Sequence, residues 1–352
     1  MKVLKPLLVL VLSTSFLFAN TNTNQHEHDP APGGSGFACD DPIANYRPEY
    51  LSLATGDNAH FKRARNYPWP FHPKSIGHNI ASYQQYGWSQ AYFHHGIDIR
   101  GDEGLAVHAS VGGQVVNVAN YNGGSRYYWE VAILDDEGFL WQYHHINHET
   151  IPENVKQAFK DKGRVEAGTF IGDIVDWPAS AAGEVYTHVH LNVLGKDGLI
   201  LNPLNFLKPI GDDQEPEIVK IGLLNSSKRL VKGNETGPDY SLFVHARDLI
   251  SHHAFYVPPY KIEFRLDGGE WQEHWKFDGL PGVDDLKKDV QKFYVKSEVC
   301  GNYRCRKIFM DLGYTVDGDR SFPKTKGEHT VDVRISDLAG NSSQDSFSYQ
   351  VH

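Results

Sequence analysis

Two short segments, far apart in the chain, most constrain how this sequence can fold. In the first, residues 93–99, His94 and Asp98 lie on either side of a glycine. In the second, residues 187–191, His188 and His190 occupy alternate positions of an apparent strand. A catalytic zinc site needs three protein ligands and one further position for water. His94, Asp98 and one of the two later histidines can supply this set, so we expect the fold to bring both segments together.

The spacing of the later histidines indicates a second role beside the metal. Residues i and i+2 of a strand point to the same side, so His188 and His190 face one way together. If one binds the metal, the other can act as a general base or donate a hydrogen bond to an oxyanion. His144 and His145 end another apparent strand, and we expect His145 to approach the same cleft and His144 to point away. Bound zinc lowers the pKa of water towards about 7, which makes hydrolysis at neutral pH feasible.

The charge balance argues against some classes of function. The chain has 44 acidic and 34 basic residues and a formal net charge of -10, whereas a nucleic-acid-binding protein should show a basic face. An apolar content of 40% and a charged content of 22% are typical of a soluble globular protein. With 352 residues the chain is long enough for two domains, each with its own core.

The first residues have the pattern of a signal peptide. Lys2 and Lys5 form a basic region, residues 7–18 an apolar core and Ala19 a suitable cleavage position. We therefore predict a signal peptide over residues 1–19 and an exported protein, periplasmic or secreted. No other stretch is long and apolar enough to span a bilayer, so no stable membrane insertion is expected. Residues 20–42 are polar, with proline and glycine, and are predicted to form a disordered leader.

The rest of the chain is patterned as short β-runs separated by glycine turns, which predicts an all-β fold. Residues 43–92 are expected to pack as an N-terminal segment on a domain that spans residues 93–209. Within that domain we predict a hairpin over residues 127–145 and one short helix over 149–161, with Pro152 near its first turn. A polar linker with proline and glycine, 208–216, leads to residues 217–352, whose spaced alternating strands predict an antiparallel, immunoglobulin-like β-sandwich.

The chain has three cysteines. Cys300 and Cys305 enclose a short loop that a local disulfide can close in an exported protein, whereas Cys39 has no assignable partner. Their number and spacing do not match a closed structural zinc site.

The motifs together resemble those of the lysostaphin/LytM-type family of bacterial zinc metalloendopeptidases. That family carries a His-x-Gly-x-Asp motif, here residues 94–98, a Tyr-x-His motif, here 143–145, and a His-x-His motif, here 188–190. The intervening segments 103–109, 113–116 and 165–172 are also similar to the family pattern. The resemblance covers residues 94–194, under a third of the chain.

The resemblance implies a role for each residue of these motifs. His94, Asp98 and His190 would bind one zinc ion per chain, and His145 and His188 would be the paired catalytic histidines. The family folds as an antiparallel β-sandwich or barrel with a groove across the metal. It cuts peptide bonds in peptidoglycan, in cross-bridges or in stem peptides, so the implied partner is a peptidoglycan peptide and not a nucleic acid.

The sequence departs from the family pattern close to the last motif. Leu191 and Asn192 stand where the family usually has an aromatic residue and often a glutamate, and residues 183–187 replace a turn rich in glycine and serine. We expect these changes to touch the groove walls and thereby the choice of substrate. Structural or packing roles are expected for the other polar and aromatic residues near the motifs: His95, His108, His144, His148, Tyr86, Trp88 and Tyr92.

The hypothesis is therefore an exported, single-zinc endopeptidase with a C-terminal β-sandwich. One alternative is a non-catalytic activator of other wall hydrolases, and another is a zinc endopeptidase that acts on a glycine-rich protein. The C-terminal domain is predicted to bind the cell wall or a protein partner, or to pack on the enzyme. Residues 43–92 are a candidate inhibitory segment over the groove, because they precede the first ligand.

Overall fold

The structure is a computed structural model, and it describes residues 49–57, 66–84, 91–178, 180–181, 184–250, 255–280, 289–295, 308–315 and 318–352. The predicted signal peptide and leader and all three cysteines lie outside the described residues, as do Tyr86 and Trp88. Among the described residues, no helix is both long enough and apolar enough to cross a membrane.

Short strands make up most of the first part of the described chain. In order they are β1 (Ser75–Ile76), β2 (Tyr83–Gln84), β3 (Tyr92–Phe93), β4 (Ile97–Arg100), β5 (Ala106–His108), β6 (Gly113–Asn120), β7 (Trp129–Asp135), β8 (Leu140–His144), β9 (Ile146–Asn147), β10 (Arg164–Val165), β11 (Phe170–Ile174), β12 (Ser180–Ala181), β13 (Glu184–Val185), β14 (His188–Leu194) and β15 (Ile200–Leu201).

The second part continues in the same manner. Its strands are β16 (Glu217–Asn225), β17 (Glu235–Thr236), β18 (Tyr240–Arg247), β19 (Lys261–Leu266), β20 (Gln272–Lys276), β21 (Gly279–Leu280), β22 (Phe309–Asp311), β23 (Tyr314–Thr315), β24 (Gly318–Asp319), β25 (Gly327–Ser336) and β26 (Ser342–Val351). The described α-helices are α1 (Glu153–Lys160) and α2 (Val290–Phe293), and the 3-10 helices are Glu49–Leu53, Lys196–Gly198 and Pro203–Asn205. The predicted all-β class is confirmed. The helix predicted over 149–161 is present as the shorter α1, which begins directly after Pro152.

An antiparallel sheet carries the predicted site. Its strand order is β1-β4-β14-β8-β7-β6-β10, and β15 and β21 extend it from β14. The predicted hairpin is present as β7 and β8, which pair from Glu130 opposite His144 to Leu134 opposite Leu140. The two segments that the sequence singled out become neighbouring strands, because β14 lies between β4 and β8.

The alternation along these central strands separates a core face from a polar face. Ile97 and Ile99 of β4, and Val189, Leu191 and Val193 of β14, are fully buried in one apolar cluster. The residues between them therefore point to the opposite face of the sheet. On that face, Asp98 and His144 lie directly opposite His190 on its two neighbouring strands.

The C-terminal part forms two larger sheets, besides the short antiparallel pair β23-β24. One has the order β16-β18-β22 and the other β17-β26-β25-β19-β20. The immunoglobulin-like assignment and the domain boundaries at 93–209 and 217–352 stay predictions.

The C-terminal part also packs closely on the first sheet. β21 pairs with β15, and Phe93 next to the first motif lies 5.7 Å from Phe293 and 6.4 Å from Trp275 between ring centroids. The two parts of the chain therefore share buried apolar surface beside the site.

Candidate metal and catalytic site

Three buried side chains converge on the polar face of the sheet. Asp98 of β4 lies with its Oδ1 3.1 Å from His94 Nε2 and 3.0 Å from His190 Nδ1. All three side chains belong to one group whose ligand atoms lie within 4.8 Å of one another. The strand pairing explains the convergence, because His190 is the direct cross-strand neighbour of Asp98 and His94 precedes the same strand.

The hydrogen bonds on the far sides of the two rings decide which nitrogens are unprotonated. His94 Nδ1 lies 3.1 Å from the carbonyl oxygen of Asn79, which can only accept a hydrogen bond, so this nitrogen carries the proton. His190 Nε2 donates to Asn192 Oδ1 at 2.8 Å. The neutral rings therefore present the unprotonated His94 Nε2 and His190 Nδ1 towards the carboxylate of Asp98. The two unprotonated nitrogens and the carboxylate oxygen thus point lone pairs at one place, with no proton between them. Such an arrangement is suited to bind a cation.

The second oxygen of Asp98 is held from outside the motifs. His78 Nδ1 lies 2.8 Å and the Tyr186 hydroxyl 2.9 Å from Asp98 Oδ2, and these two groups are 2.7 Å apart. Burial alone would raise the pKa of Asp98, but imidazole neighbours that can each carry a proton, His94 and His188 and then His190 and His78, hold it well below its ordinary value. Asp98 is therefore ionised, with Oδ1 aimed at the metal position and Oδ2 fixed behind it.

His145 and His188 lie side by side next to the three ligand candidates. Their ring centroids are 4.7 Å apart, and His188 Nε2 lies 3.8 Å from Asp98 Oδ1. His145 follows β8 with a φ of +66°, a left-handed conformation that turns its side chain out of the strand. Trp177 packs on both rings, at 4.4 and 5.0 Å between centroids. The structure thus brings both predicted catalytic histidines to one place.

Both of these rings are held by backbone carbonyls. His145 Nδ1 donates to the Tyr127 carbonyl at 2.8 Å, and His188 Nδ1 donates to the Tyr186 carbonyl at 2.7 Å. In the neutral form, each ring therefore keeps its proton on Nδ1 and leaves Nε2 as an acceptor. Burial, and then the charge of His188, lower the pKa of His145 well below its ordinary value, so this ring is neutral at neutral pH. In this neutral form its Nε2 can accept a hydrogen bond.

Gly96 allows the first motif to pass close to the last one. A Cβ at this position would lie 2.8 Å from His190 Nε2 and 2.5 Å from the carbonyl oxygen of Leu191. Any side chain would therefore displace the ligand strand. This geometry accounts for the glycine in terms of close backbone approach, without a left-handed φ.

Asn192 connects His190 to a buried polar network. Its Nδ2 donates to Gln142 Oε1 at 3.2 Å, and Gln142 Nε2 donates to Glu130 Oε2 at 3.1 Å. The expectation that Leu191 and Asn192 touch the groove walls is wrong, because Leu191 is fully buried in the apolar core and Asn192 lies behind the ligand. The departure from the family pattern therefore bears on how His190 is held.

Glu130 is the charged end of this network. Tyr50 and Asn117 also donate to its Oε1, and His144 Nε2 lies 3.4 Å from its Oε2. Burial raises the pKa of Glu130 to about 7 although these hydrogen bonds act against that rise. Tyr50 belongs to the N-terminal segment, so residues outside the motifs support the site from behind.

The remaining histidines of the motif region have packing contacts. His95 lies 4.8 Å from His190 and 6.3 Å from Tyr92 between ring centroids, and His144 is fully buried beside Glu130. Farther from the site, His108 packs on Phe170 and His148 stacks on Trp129. None of these four belongs to the groups of possible metal ligands among the described residues.

The sequence motifs did not identify four residues that contact the site: His78, Asn79, Tyr186 and Glu130. Strand alternation offered a signal for Asn192, which lies two residues after His190 and therefore on its face. No comparable local signal existed for His78 and Asn79, because the pairing of β1 with β4 brings them to the site. The assigned roles of the five motif residues stay predictions, now with a geometry that accommodates them.

The fold and the site define a class: a β-sheet protein with a buried His-Asp-His cluster and two further imidazoles that can accept a proton. Residues 92–203 match the model of the family described as Peptidase family M23. The predicted resemblance to the lysostaphin/LytM-type peptidases is thereby confirmed for this segment, which is similar to the M23 family. The match extends over less than half of the chain.

Solved structures also show similarity, at low identity. Csd3 of Helicobacter pylori, in the orthorhombic crystal, is 20% identical over 41% of this chain and 36% of its own, with a TM-score of 0.27. The catalytic domain of the antimicrobial peptidase lysostaphin from Staphylococcus simulans is 18% identical over 47% of this chain and 99% of its own, with a TM-score of 0.24. This chain spans about a third of the length of the Csd3 structures it matches. No curated protein matches the sequence.

Proposed function

We propose that this protein is an exported, zinc-dependent metalloendopeptidase that hydrolyses peptide bonds of bacterial peptidoglycan, in cross-links or stem peptides. The observation that carries the proposal is the convergence of His94 Nε2, Asp98 Oδ1 and His190 Nδ1 without a proton between the neutral rings. Two nitrogens and one carboxylate oxygen are the donor set of an open catalytic zinc site. One zinc ion per chain would act as a Lewis acid towards water and the scissile carbonyl.

The residues around the ligands have distinct tasks in this scheme. His188 accepts the proton of the attacking water through Nε2, since its Nδ1 proton is engaged by a carbonyl. His145 also keeps its proton on Nδ1, so its Nε2 can donate to an oxyanion only after it has itself taken a proton. A role of His145 as an oxyanion donor therefore requires proton transfer first.

The outer partners keep the ligands in a productive orientation. The Asn79 carbonyl and Asn192 select the tautomers of His94 and His190, and His78 and Tyr186 hold the far oxygen of Asp98. Such partners orient metal ligands and typically change metal affinity by about 10–100-fold. The family match supports a peptide substrate, and the choice of peptidoglycan follows the resemblance.

The test is to digest purified peptidoglycan with the protein and to identify the released fragments by mass spectrometry. We expect new peptide termini, their loss with a zinc chelator and their return when zinc is added. His94→Ala should release no fragments and bind no stoichiometric zinc, while His352→Ala, a change at an exposed histidine, should behave as the parent protein.

The same experiment separates the alternatives. An activator of other hydrolases would release no fragments alone and would carry no stoichiometric zinc. An enzyme directed at a glycine-rich protein would cut such a protein, supplied in parallel, and leave peptidoglycan intact. Hydrolysis of peptidoglycan by a zinc-free His94→Ala protein would contradict the metal scheme.

A further inference from the structure

A second group of possible cation ligands lies in the C-terminal part. Asp212, Asp248 and Asp337 each offer a carboxylate oxygen, and these oxygens lie within 4.8 Å of one another. Asp212 lies in the predicted linker, Asp248 directly follows β18 and Asp337 directly follows β25. Three separate segments, including one strand end from each of the two C-terminal sheets, therefore supply one carboxylate each.

Asp248 is an independent indication that a ligand belongs here. It is 4% exposed, and its Oδ1 has no hydrogen-bond partner. A buried carboxylate oxygen without a partner costs free energy comparable to a lost hydrogen bond or more. Its main chain is fully engaged, because its N–H and carbonyl both pair with Val257. The side chain is therefore held in place while one of its oxygens lacks a donor.

The other two carboxylates are positioned by their own loops. Asp337 Oδ1 accepts hydrogen bonds from Gly340 N at 2.7 Å and Asn341 N at 2.9 Å, and Oδ2 accepts from Asn341 Nδ2 at 2.7 Å. The same Asn341 amide donates to the Asp212 carbonyl at 3.0 Å, which ties the linker to this turn. Asp212 Oδ1 accepts from Gln214 N at 3.2 Å.

No positive side chain among the described residues neutralises the buried pair. Asp248 and Asp337 form no ion pair there, and Lys208 lines the same cavity without forming one with them. Burial raises the pKa of Asp248 to about 8, and the charges of Asp337 and Asp212 add to the rise. Among the described residues, Asp248 and Asp337 are therefore not paired with a positive charge, in the same place where a carboxylate oxygen of Asp248 lacks a donor.

The cluster opens onto a cavity of about 260 Å³ between the C-terminal part and the first sheet. Trp69, Asn202 and Asn205 line it from the side of the first sheet, and Asp212, Asp248 and Asp337 from the other. Water or carbonyl oxygens can complete a coordination shell in such a space.

We propose that Asp212, Asp248 and Asp337 bind a divalent cation of the calcium type, which fixes the linker to both C-terminal sheets. The donor set is all oxygen, which suits calcium or magnesium and not zinc. Calcium takes six to eight oxygens at about 2.3–2.6 Å in flexible geometry, so two ligand atoms on one ion can lie up to about 5 Å apart. Magnesium demands a near-ideal octahedron, which ligands from three separate segments supply less easily.

The test uses the full chain, freed of divalent cations by passage over a chelating resin, reloaded with one equivalent of zinc and then titrated with CaCl₂. We expect calcium at millimolar concentration to raise the melting temperature by at least about 3 °C. Terbium(III), used as a luminescent calcium substitute, should show emission sensitised by Trp69 and Tyr260, which line the cavity. Calcium should displace terbium and reduce this emission, and magnesium should do so at least tenfold less effectively.

Asp248→Asn is the diagnostic variant. It replaces a buried carboxyl group, whose pKa is raised to about 8, by a neutral amide of the same shape, so we expect it to be at least as stable as the parent protein without calcium. It should lose the calcium-dependent rise in melting temperature, whereas Asp345→Asn, a change at an exposed aspartate of β26, should keep it. Zinc content should be the same in all three proteins, which keeps this result separate from the proposed peptidase activity.

Two outcomes would overturn the proposal. An unchanged melting temperature of the parent protein in millimolar calcium, together with no sensitised terbium emission, would show that the cluster holds protons and not a cation. An equal response of Asp248→Asn and the parent protein would place the calcium elsewhere.

Discussion

Asp98 and Asp248 are buried to the same extent, each with 4% of its surface exposed. Their neighbours, however, shift the pKa of the two carboxyl groups in opposite directions. Asp98 is surrounded by imidazoles and a hydroxyl, and its pKa lies well below the ordinary value. Asp248 is surrounded by two other aspartates, and its pKa is raised to about 8. Burial disfavours the charged form of both carboxyl groups, so the neighbours decide which of them is ionised.

The pKa of Glu130 lies between those of Asp98 and Asp248. It is fully buried like them, and its hydrogen-bond donors Tyr50, Asn117 and Gln142 are neutral. Its pKa of about 7 shows that neutral donors offset only part of the cost of burial. The pKa values of the three carboxyl groups therefore follow the charge of their partners.

The largest effect is expected when the carboxylate of Asp98 is removed. Asp98→Ala deletes the one ligand that both His94 and His190 approach, so zinc and activity should be lost together, with hydrolysis reduced at least about 1,000-fold. Metal analysis and fragment release measure the two losses. Asp136→Ala, at an exposed aspartate that pairs with Arg164, is the control and should change neither. Stoichiometric zinc in Asp98→Ala would contradict the ligand assignment.

The next effect separates chemistry from metal binding. His145→Asn suits the left-handed backbone at this position, because asparagine tolerates a positive φ better than most residues. The amide can donate hydrogen bonds but cannot take a proton, so zinc content should be unchanged and kcat should fall about 100-fold or more. A kcat close to that of the parent protein would show that donation alone suffices and would refute the acceptor role.

Glu130 gives a prediction on stability. Its pKa is about 7 in the folded protein and 4.5 when unperturbed. The contribution of Glu130 to the free energy of unfolding is therefore fully present below pH 4.5. It is lost as the pH rises through 7, by roughly 3 kcal/mol in total. Urea unfolding between pH 5 and 8 should show this loss in the parent protein. Glu130→Gln should show a smaller dependence, and an identical pH dependence in both would contradict the raised pKa.

Strand periodicity predicted that two histidines lie together beside the site, and the resemblance to the family implied which of them is the ligand. A strand has a period of two, so His188 and His190 had to share a face, and the alternating apolar residues of β14 showed which face was buried. The same rule places Asn192 on that face, and the departure at this position could have been interpreted as a new partner for His190.

Other contacts depend on packing that leaves no local pattern. His78 reaches Asp98 because β1 pairs with β4, and Tyr50 reaches Glu130 from a 3-10 helix far away in the chain. The three aspartates of the second cluster stand in a linker and after two strands of different sheets. Each is an ordinary polar residue in its own segment, and only the assembled fold brings them together.

The N-terminal segment illustrates the same limit. It was expected as a candidate cover for the groove, but its described residues His78 and Asn79 contact Asp98 and His94 from behind. Deletion of residues 43–92 would therefore remove support for the ligands along with any cover. A test of inhibition needs changes at single positions in place of a truncation.

The smallest effect is expected from the removal of a single hydroxyl group. Without this donor, the surroundings of Asp98 become more like those of Asp248. Tyr186→Phe keeps the ring that packs on His188, at 4.7 Å between centroids, and deletes the donor to Asp98 Oδ2. His78 still holds that oxygen, so we expect zinc affinity to fall about 10-fold, at the low end for an outer partner of a metal ligand. Competition with a chromophoric chelator measures the dissociation constant. Tyr240→Phe removes a hydroxyl that donates to the Pro323 carbonyl, away from the site, and should leave the affinity unchanged. If Tyr186→Phe binds zinc as tightly as the parent protein, the second oxygen of Asp98 does not need two donors, and the contrast with Asp248 depends on the imidazoles alone.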